Sequence, residues 1–312
     1  MRESKSRRVV AGVPRPTTWS MAYKPPYNWD AVLSFFRAHQ IPHLEAVDER
    51  SYERVVKTTE GTGLFRVSRH RTNPSLTVKL WNGSREDAQI IKGAVWRMFD
   101  LGADTDAIGK AMSEDPCLSA LWQRYPGRRV ARTWNGFESL LTTILGQLVS
   151  VAYGRILANQ LMEAAGVRAR HPITGEPILL FPTARAVLKA DLRSIRTSEA
   201  RRSAIRSVAE LVANETLMWE NPPPHAELRK LLLSVRGIGA WTSEYIAMRG
   251  FHDDDAFPRT DYALKQELKR LSEVDANRVR PWRAYAAVLL WNSFAANADD
   301  EDELRRCDVA NN

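Results

Sequence analysis

The C-terminal half of the chain contains a glycine-flanked turn of a kind that can bind a phosphate. In the segment HAELRKLLLSVRGIGAWTSEYIAMRGF, Gly237 and Gly239 flank Ile238 between two helical patterns. Glycine lets the main chain turn tightly and approach another backbone closely. The second helix begins just after Gly239, so its unpaired N–H groups and positive dipole end lie together and attract an anion. Ile238 is expected to point inward as an apolar anchor, although a GxG pattern alone also fits an ordinary helix connection.

A carboxylate and three aromatic residues follow this turn. Asp261 stands at the start of the helical pattern TDYALKQELKRL, a position at which Asp is usually an N-cap. Trp241 and Tyr245 are four residues apart and therefore share one helix face, while Trp291 lies on the last helical pattern. The residues alone leave two readings open, which are capping with core packing, and a carboxylate set beside a stacking surface.

Composition narrows the class of partner. The 312 residues carry 45 Lys and Arg against 37 Asp and Glu, a net charge of +8, and such an excess favours a polyanion such as nucleic acid. No run of 18 apolar residues occurs, so a membrane span is not expected. Cys117 and Cys307 form no CxxC pair and the six His lack ligand spacing. A metal bound by side chains is therefore not expected, and two unpaired thiols suit a reducing cytoplasm.

The chain divides into three stretches by pattern. Residues 1–20 are basic and aperiodic, and we expect a flexible arm. Residues 21–105 predict an α+β domain, with a helix capped by Asn28, three strand-like runs (ERVVKTTE, GLFRVSRH, SLTVKLW) and a helix after Ser84. Residues 106–312 are almost exclusively helical in pattern. The predicted helices there are 117–124, 134–165, 182–190, 199–214, 225–234, 240–250, 261–272 and 281–297.

The longer string LxxVRGIGxWTxxYIA is a far more specific signal than the GxG pattern alone. With it the sequence resembles the helix-hairpin-helix DNA glycosylases, and among them the AlkA-type 3-methyladenine-DNA glycosylases. FESLLTTILGQLVSVAYG, AFPRTDYALKQEL, RPWRAYAAVLLW and PPYNWDAVLSFF extend the resemblance over most of residues 22–295. It implies a small N-terminal antiparallel-sheet domain followed by a two-part all-helical body with the active-site cleft between its parts.

The resemblance also implies roles for individual residues. Asp261 falls on the family's catalytic aspartate, Leu148 on the residue that wedges into DNA, and the hairpin Gly237–Gly239 on its contact with the DNA backbone. Trp241, Tyr245 and Trp291 match its base pocket. The main-chain carbonyls of Leu233, Val235 and Ile238 would bind a structural monovalent cation, with no cofactor required.

The implied activity is hydrolytic removal of alkylated bases from double-stranded DNA, by a monomer associated with the nucleoid in the cytoplasm. Bifunctional relatives carry a Lys just after the hairpin, where this chain has Trp241, so strand cleavage is not expected. Two alternatives remain. One is a helix-hairpin-helix DNA-binding module without catalysis, and the other is an oxidised-base glycosylase with lyase activity.

Overall fold

The computed structural model describes residues 15–219 and 221–310. Its first part is a five-stranded antiparallel sheet covered by two helices, α1 (Trp29–His39) and α2 (Arg85–Met98). The strands are β1 (Thr17–Ala22), β2 (Glu45–Val47), β3 (Ser51–Thr58), β4 (Gly61–Arg69) and β5 (Ser75–Trp81). They lie in the order β1-β5-β4-β3-β2, and their inward side chains form one apolar core with both helices.

The local signals in this part of the sequence are confirmed. The three predicted strands are β3, β4 and β5. The Asn28 side chain accepts a hydrogen bond from the Ala31 N–H at 2.9 Å and caps α1. Ser84 caps α2 in a reciprocal pair with Asp87, the capping box that a Ser followed three residues later by an acidic side chain favours.

The prediction of a flexible arm over residues 1–20 is wrong for its last residues. Thr17–Ala22 form β1, which pairs antiparallel with β5 in the register Trp19↔Val78. The backbone of β5 has hydrogen-bonding groups on both edges, and β1 satisfies the edge that β4 does not. The alternation in TTWSMA is too short and too exposed to stand out from the basic stretch before it. Residues 1–14 of the predicted arm lie outside the described residues.

The second part is mainly helical, as the sequence predicted. Its helices are α3 (Thr105–Met112), α4 (Pro116–Arg124), α5 (Gly136–Gly146), α6 (Val151–Ala165), α7 (Ala184–Lys189), α8 (Glu199–Ala213), α9 (His225–Ser234), α10 (Ala240–Gly250), α11 (Tyr262–Arg270) and α12 (Arg283–Ala310). They share a single apolar core. No helix among the described residues is long and apolar enough to cross a membrane.

Two details of the helical part differ from the sequence prediction. The continuous helix over 134–165 is broken between α5 and α6, because Gln147 leaves the helical conformation and Ser150 caps a new helix. The stretch around HPITGEPI is a loop within a β-hairpin of β6 (Val167–Arg170) and β7 (Pro177–Leu180). This hairpin and α6 pack against the sheet through a small apolar cluster, which fixes the two parts of the molecule on each other.

Candidate active site

The Asp261 carboxylate is held by three hydrogen-bond donors. Asp261 is the N-cap of α11, and its Oδ1 accepts from the Leu264 N–H at 3.1 Å. Oδ1 also accepts from the Trp291 indole N–H at 2.9 Å, and Oδ2 accepts from the Trp241 indole N–H at 2.9 Å. Hydrogen bonds to an ionised acceptor are stronger than neutral ones. The capping reading of Asp261 is therefore confirmed, and the same carboxylate also lies beside the aromatic residues.

The predicted aromatic residues come together around this carboxylate. Trp241 and Tyr245 stack with ring centroids 5.3 Å apart and planes at 22°. Tyr245 meets Trp291 edge-on at 6.4 Å. All three rings are only partly buried, so they form a wall rather than a closed core. The sequence did not indicate that both indoles donate to Asp261.

A cavity of about 620 Å³ opens in front of this wall. Its lining combines the site residues with α1 and the segment leading into α5, including Phe35, Trp134, Ser139, Thr142, Asp261 and Arg249. A volume of this order is typical of small-molecule sites. The cavity therefore lies where the sheet-bearing part and the helical part of the molecule meet.

Arg249 is a cavity residue that the sequence analysis missed. It is 5% exposed, and its Cζ lies 4.3 Å from the ring centroid of Phe35, 5.4 Å from that of Trp291 and 5.9 Å from that of Tyr245. Its guanidinium donates to the Ala131 carbonyl. A signal was present, because Arg249 lies four residues after Tyr245 and eight after Trp241, on the same helix face.

Leu148 is the most conspicuous residue of the break between α5 and α6. Its side chain is 100% exposed and its backbone has φ of 55°, a left-handed conformation that is unfavourable for a branched residue. The preceding Gln147 amide donates to the Gly237 carbonyl at 3.0 Å and to the Thr242 hydroxyl at 2.9 Å. Arg201 donates to the Gln147 carbonyl. The loop that bears Leu148 is thus fixed to the hairpin.

The hairpin has the geometry that its glycines predicted. Gly237 has φ of 97°, and Ile238 is 5% exposed, pointing inward as expected. Gly239 is the N-cap of α10 without a side-chain cap, and a Cβ there would meet nothing within 4 Å. The first N–H groups of α10 therefore remain free of side-chain capping and are approachable from outside.

Of the carbonyls predicted to bind a cation, those of Leu233 and Val235 lie at the end of α9 and that of Ile238 lies in the hairpin turn. That helix ends at Ser234, and its last carbonyls have no partner within the helix. The Val235 carbonyl accepts from the Ile238 N–H at 3.0 Å, which leaves its second lone pair free. Within the described part of the chain, no group of three or more His, Cys, Asp or Glu side chains could hold a metal.

Comparisons with known proteins agree with this arrangement. The AlkA N-terminal domain family matches residues 18–135. The chain is 30% identical over 277 residues to a Mycobacterium tuberculosis protein named "Probable bifunctional transcriptional activator/DNA repair enzyme AlkA", covering 86% of this chain and 55% of that protein. The chain thus spans about half the length of that relative.

Two further relatives match almost end to end. DNA-3-methyladenine glycosylase 2 of Escherichia coli is 28% identical over 290 residues, covering 90% of this chain and 99% of that protein. The solved 3-methyladenine DNA-glycosylase of Archaeoglobus fulgidus superposes with a TM-score of 0.73 at 21% identity, over 89% of this chain and 98% of that one. The structural match shows the fold.

Proposed function

The chain belongs to the AlkA-type family of helix-hairpin-helix DNA glycosylases, and from that premise we propose that it is a monofunctional DNA N-glycosylase. It removes alkylated bases from double-stranded DNA by hydrolysis and leaves an abasic site. The observation that carries the proposal is the Asp261 carboxylate, held by two indoles at a cavity of suitable size.

Binding begins with the DNA backbone. The uncapped start of α10 offers N–H groups and a positive dipole end to one phosphate. A structural monovalent cation held by the carbonyls of Leu233, Val235 and Ile238 would strengthen this contact, since neutral oxygen donors suit a hard cation. Such an ion would take no part in the bond cleavage. No cofactor is required.

The damaged nucleotide then leaves the base stack, because its C1′ cannot be reached inside a duplex. Leu148 is exposed, apolar and held beside the hairpin, which suits it to filling the gap. The extruded base enters the cavity against Trp241, Tyr245 and Trp291. Stacking on aromatic rings does not depend on one hydrogen-bond pattern, so it accepts several lesions.

Cleavage of the glycosidic bond develops positive charge on the sugar. The Asp261 carboxylate stabilises this charge and orients the water that captures C1′. Because both indole N–H groups already face the carboxylate, its position and orientation are fixed before the reaction begins. Such preorganisation is the main source of electrostatic catalysis.

Replacing the Asp261 carboxylate with a neutral amide tests the proposal. The variant Asp261→Asn keeps the size and capping ability of the side chain, and we expect its excision of methylated bases to fall by about 100-fold or more. Binding to the same duplex should change little. Abasic sites are counted after incubation with methylated duplex DNA, and Glu199→Gln at the exposed start of α8 serves as a matched control. Full turnover by Asp261→Asn would refute the assignment.

The alternatives predict other outcomes. A DNA-binding module without catalysis would bind methylated duplex and form no abasic sites with the unaltered protein. An oxidised-base glycosylase with lyase activity needs an amine for a Schiff base, and none of the described residues lining the cavity is a lysine. We therefore expect no protein–DNA adduct after borohydride treatment. The proposal also includes action as a monomer on nucleoid DNA in the cytoplasm.

A further inference from the structure

The wall of the cavity contains a buried positive charge that the proposed reaction does not use. Arg249 lies on the same face of α10 as Trp241 and Tyr245 and lines the cavity. Among the described residues no carboxylate oxygen lies within 4 Å of its guanidinium nitrogens. Burial lowers the pKa of the Arg249 guanidinium, and the neighbouring Tyr245 phenol opposes this effect. Arginine nevertheless remains protonated in proteins.

The hydrogen-bonding capacity of this charge is not exhausted. One terminal nitrogen of Arg249 donates to the Ala131 carbonyl, whereas its Nε has no acceptor in the structure. Ser139 is 1% exposed, also lines the cavity, and its hydroxyl has no partner. Arg128, Arg129 and Arg132 also line the cavity and carry buried nitrogens without an acceptor. Buried donors without acceptors are costly, and Arg249 and Ser139 are the two that flank the aromatic wall, where a ligand that carries acceptors would satisfy them.

The aromatic wall is already in contact with a cation. The Arg249 guanidinium lies over Phe35 and near the rings of Trp291 and Tyr245. The electron-rich faces that would attract a cationic alkylpurine therefore already interact with a positive charge of the protein. A cationic base entering the cavity would be repelled by a like charge in surroundings of low dielectric constant.

We propose that Arg249 is a specificity-determining residue that favours neutral damaged bases carrying in-plane acceptors over bases with a formal positive charge. The inference rests on the proposed glycosylase function and concerns the same cavity. A neutral purine such as hypoxanthine presents ring nitrogen and exocyclic oxygen acceptors to the guanidinium and to the Ser139 hydroxyl. A 7-methylguanine base keeps its exocyclic oxygen, but its N7 acceptor is blocked by the methyl group and its ring carries a positive charge.

The contact between the Arg249 guanidinium and the bound base also affects cleavage of the glycosidic bond. When the C1′–N bond breaks, the bonding electron pair stays with the base. A cationic base then leaves as a neutral molecule, whereas a neutral base leaves as an anion. A guanidinium beside the departing base stabilises that anion, so Arg249 assists the slower of the two reactions and hinders the faster.

The test compares two lesions in otherwise identical duplexes. Single-turnover rates are measured with excess enzyme for hypoxanthine and for 7-methylguanine, and the ratio of the two rates is the readout. This ratio does not depend on the fraction of active protein. We expect Arg249→Met to lower the hypoxanthine to 7-methylguanine ratio about tenfold, with the rate on 7-methylguanine unchanged or raised. Arg249→Gln is the second neutral variant if Arg249→Met proves insoluble, and the same criterion applies.

Two controls separate charge from packing. Arg249→Lys keeps the positive charge, and we expect no gain in rate on 7-methylguanine. Arg206→Met removes an arginine of α8 that also donates only to backbone carbonyls and does not line the cavity, so its ratio should equal that of the unaltered protein. A ratio that falls less than threefold in the neutral variants overturns the inference. If the unaltered protein removes neither base, the proposed function itself is at fault.

Discussion

Two buried arginines have opposite electrostatic surroundings, because one is paired with carboxylates and the other is not. Arg54 of β3 donates to Glu45 at 2.7 Å and to Glu138 of α5 at 2.9 Å, so its charge is neutralised where the sheet meets the helical part. Arg249 of α10, on the cavity wall, contacts aromatic rings and one carbonyl. A neutralised buried charge holds two elements together, whereas a buried charge without a counter-ion next to a cavity is available to a ligand. Arg54 therefore joins the sheet to α5 through an ion pair, whereas Arg249 keeps unused donor capacity on the cavity wall.

The largest expected effect lies on the sheet side. Arg54→Met leaves Glu138 buried without its counter-charge, and loss of one partner from a buried pair costs about 3–5 kcal/mol of folding free energy. Arg249→Met removes no ion pair, so we expect a loss of about 1 kcal/mol. Urea unfolding measures both variants. Combining Arg54→Met with Glu138→Gln should recover part of the loss, and equal losses for Arg54→Met and Arg249→Met would erase the contrast.

A smaller effect on stability is expected from His252, which lies near Arg132 and Arg97. Burial, together with Arg132 and Arg97, lowers the pKa of His252 to about 3. The folded protein keeps this imidazole neutral while the unfolded chain protonates it near pH 6.5. Stability is therefore fully present above pH 6.5 and falls as the pH decreases toward 3, by about 1–2 kcal/mol at pH 5.

The matched variant for this pH dependence is His252→Asn. The residue has φ of 62°, which Asn tolerates better than most side chains. The difference in unfolding free energy between pH 7 and pH 5 should shrink by about 1–2 kcal/mol relative to the unaltered protein. An unchanged difference would mean that His252 is not held neutral by its surroundings.

The smallest effect on stability is expected at the exposed edge of the cleft. Leu148→Gly removes a side chain that touches nothing and relieves a left-handed backbone, so we expect stability to be equal or higher by up to about 1 kcal/mol. Excision from duplex DNA should nevertheless fall about tenfold, because the gap left by the extruded base is unfilled. Thermal unfolding and excision rates measure the two effects, and a large loss of stability would contradict the distinction between the two regions.

The sequence predicted the parts of the site that depend on local geometry. The position of Asp261 at a helix start and the four-residue spacing of Trp241 and Tyr245 are set within one or two turns of chain. The contact of both indoles with one carboxylate depends on how α10, α11 and α12 cross. No spacing in the sequence encodes that crossing, and only the resemblance brought Trp291 to the same site.

Arg249 illustrates what sequence patterns do not show. Its burial depends on Phe35 of α1, more than 200 positions earlier in the chain, whose ring covers the guanidinium. The four-residue spacing places Arg249 on the helix face of Tyr245, but a lone arginine near the end of a helix is usually solvated and favourable there, so the spacing alone does not predict its burial. The β6–β7 hairpin was missed for a similar reason, since its short strands are recognisable only when paired.

The Gln147 amide has a consequence for the search along undamaged DNA. It joins the loop of Leu148 to the main chain of the hairpin at Gly237, so under the proposed function a phosphate bound at the hairpin and the Leu148 side chain would stay a constant distance apart. Each base step of an undamaged duplex would then be tested from the same offset.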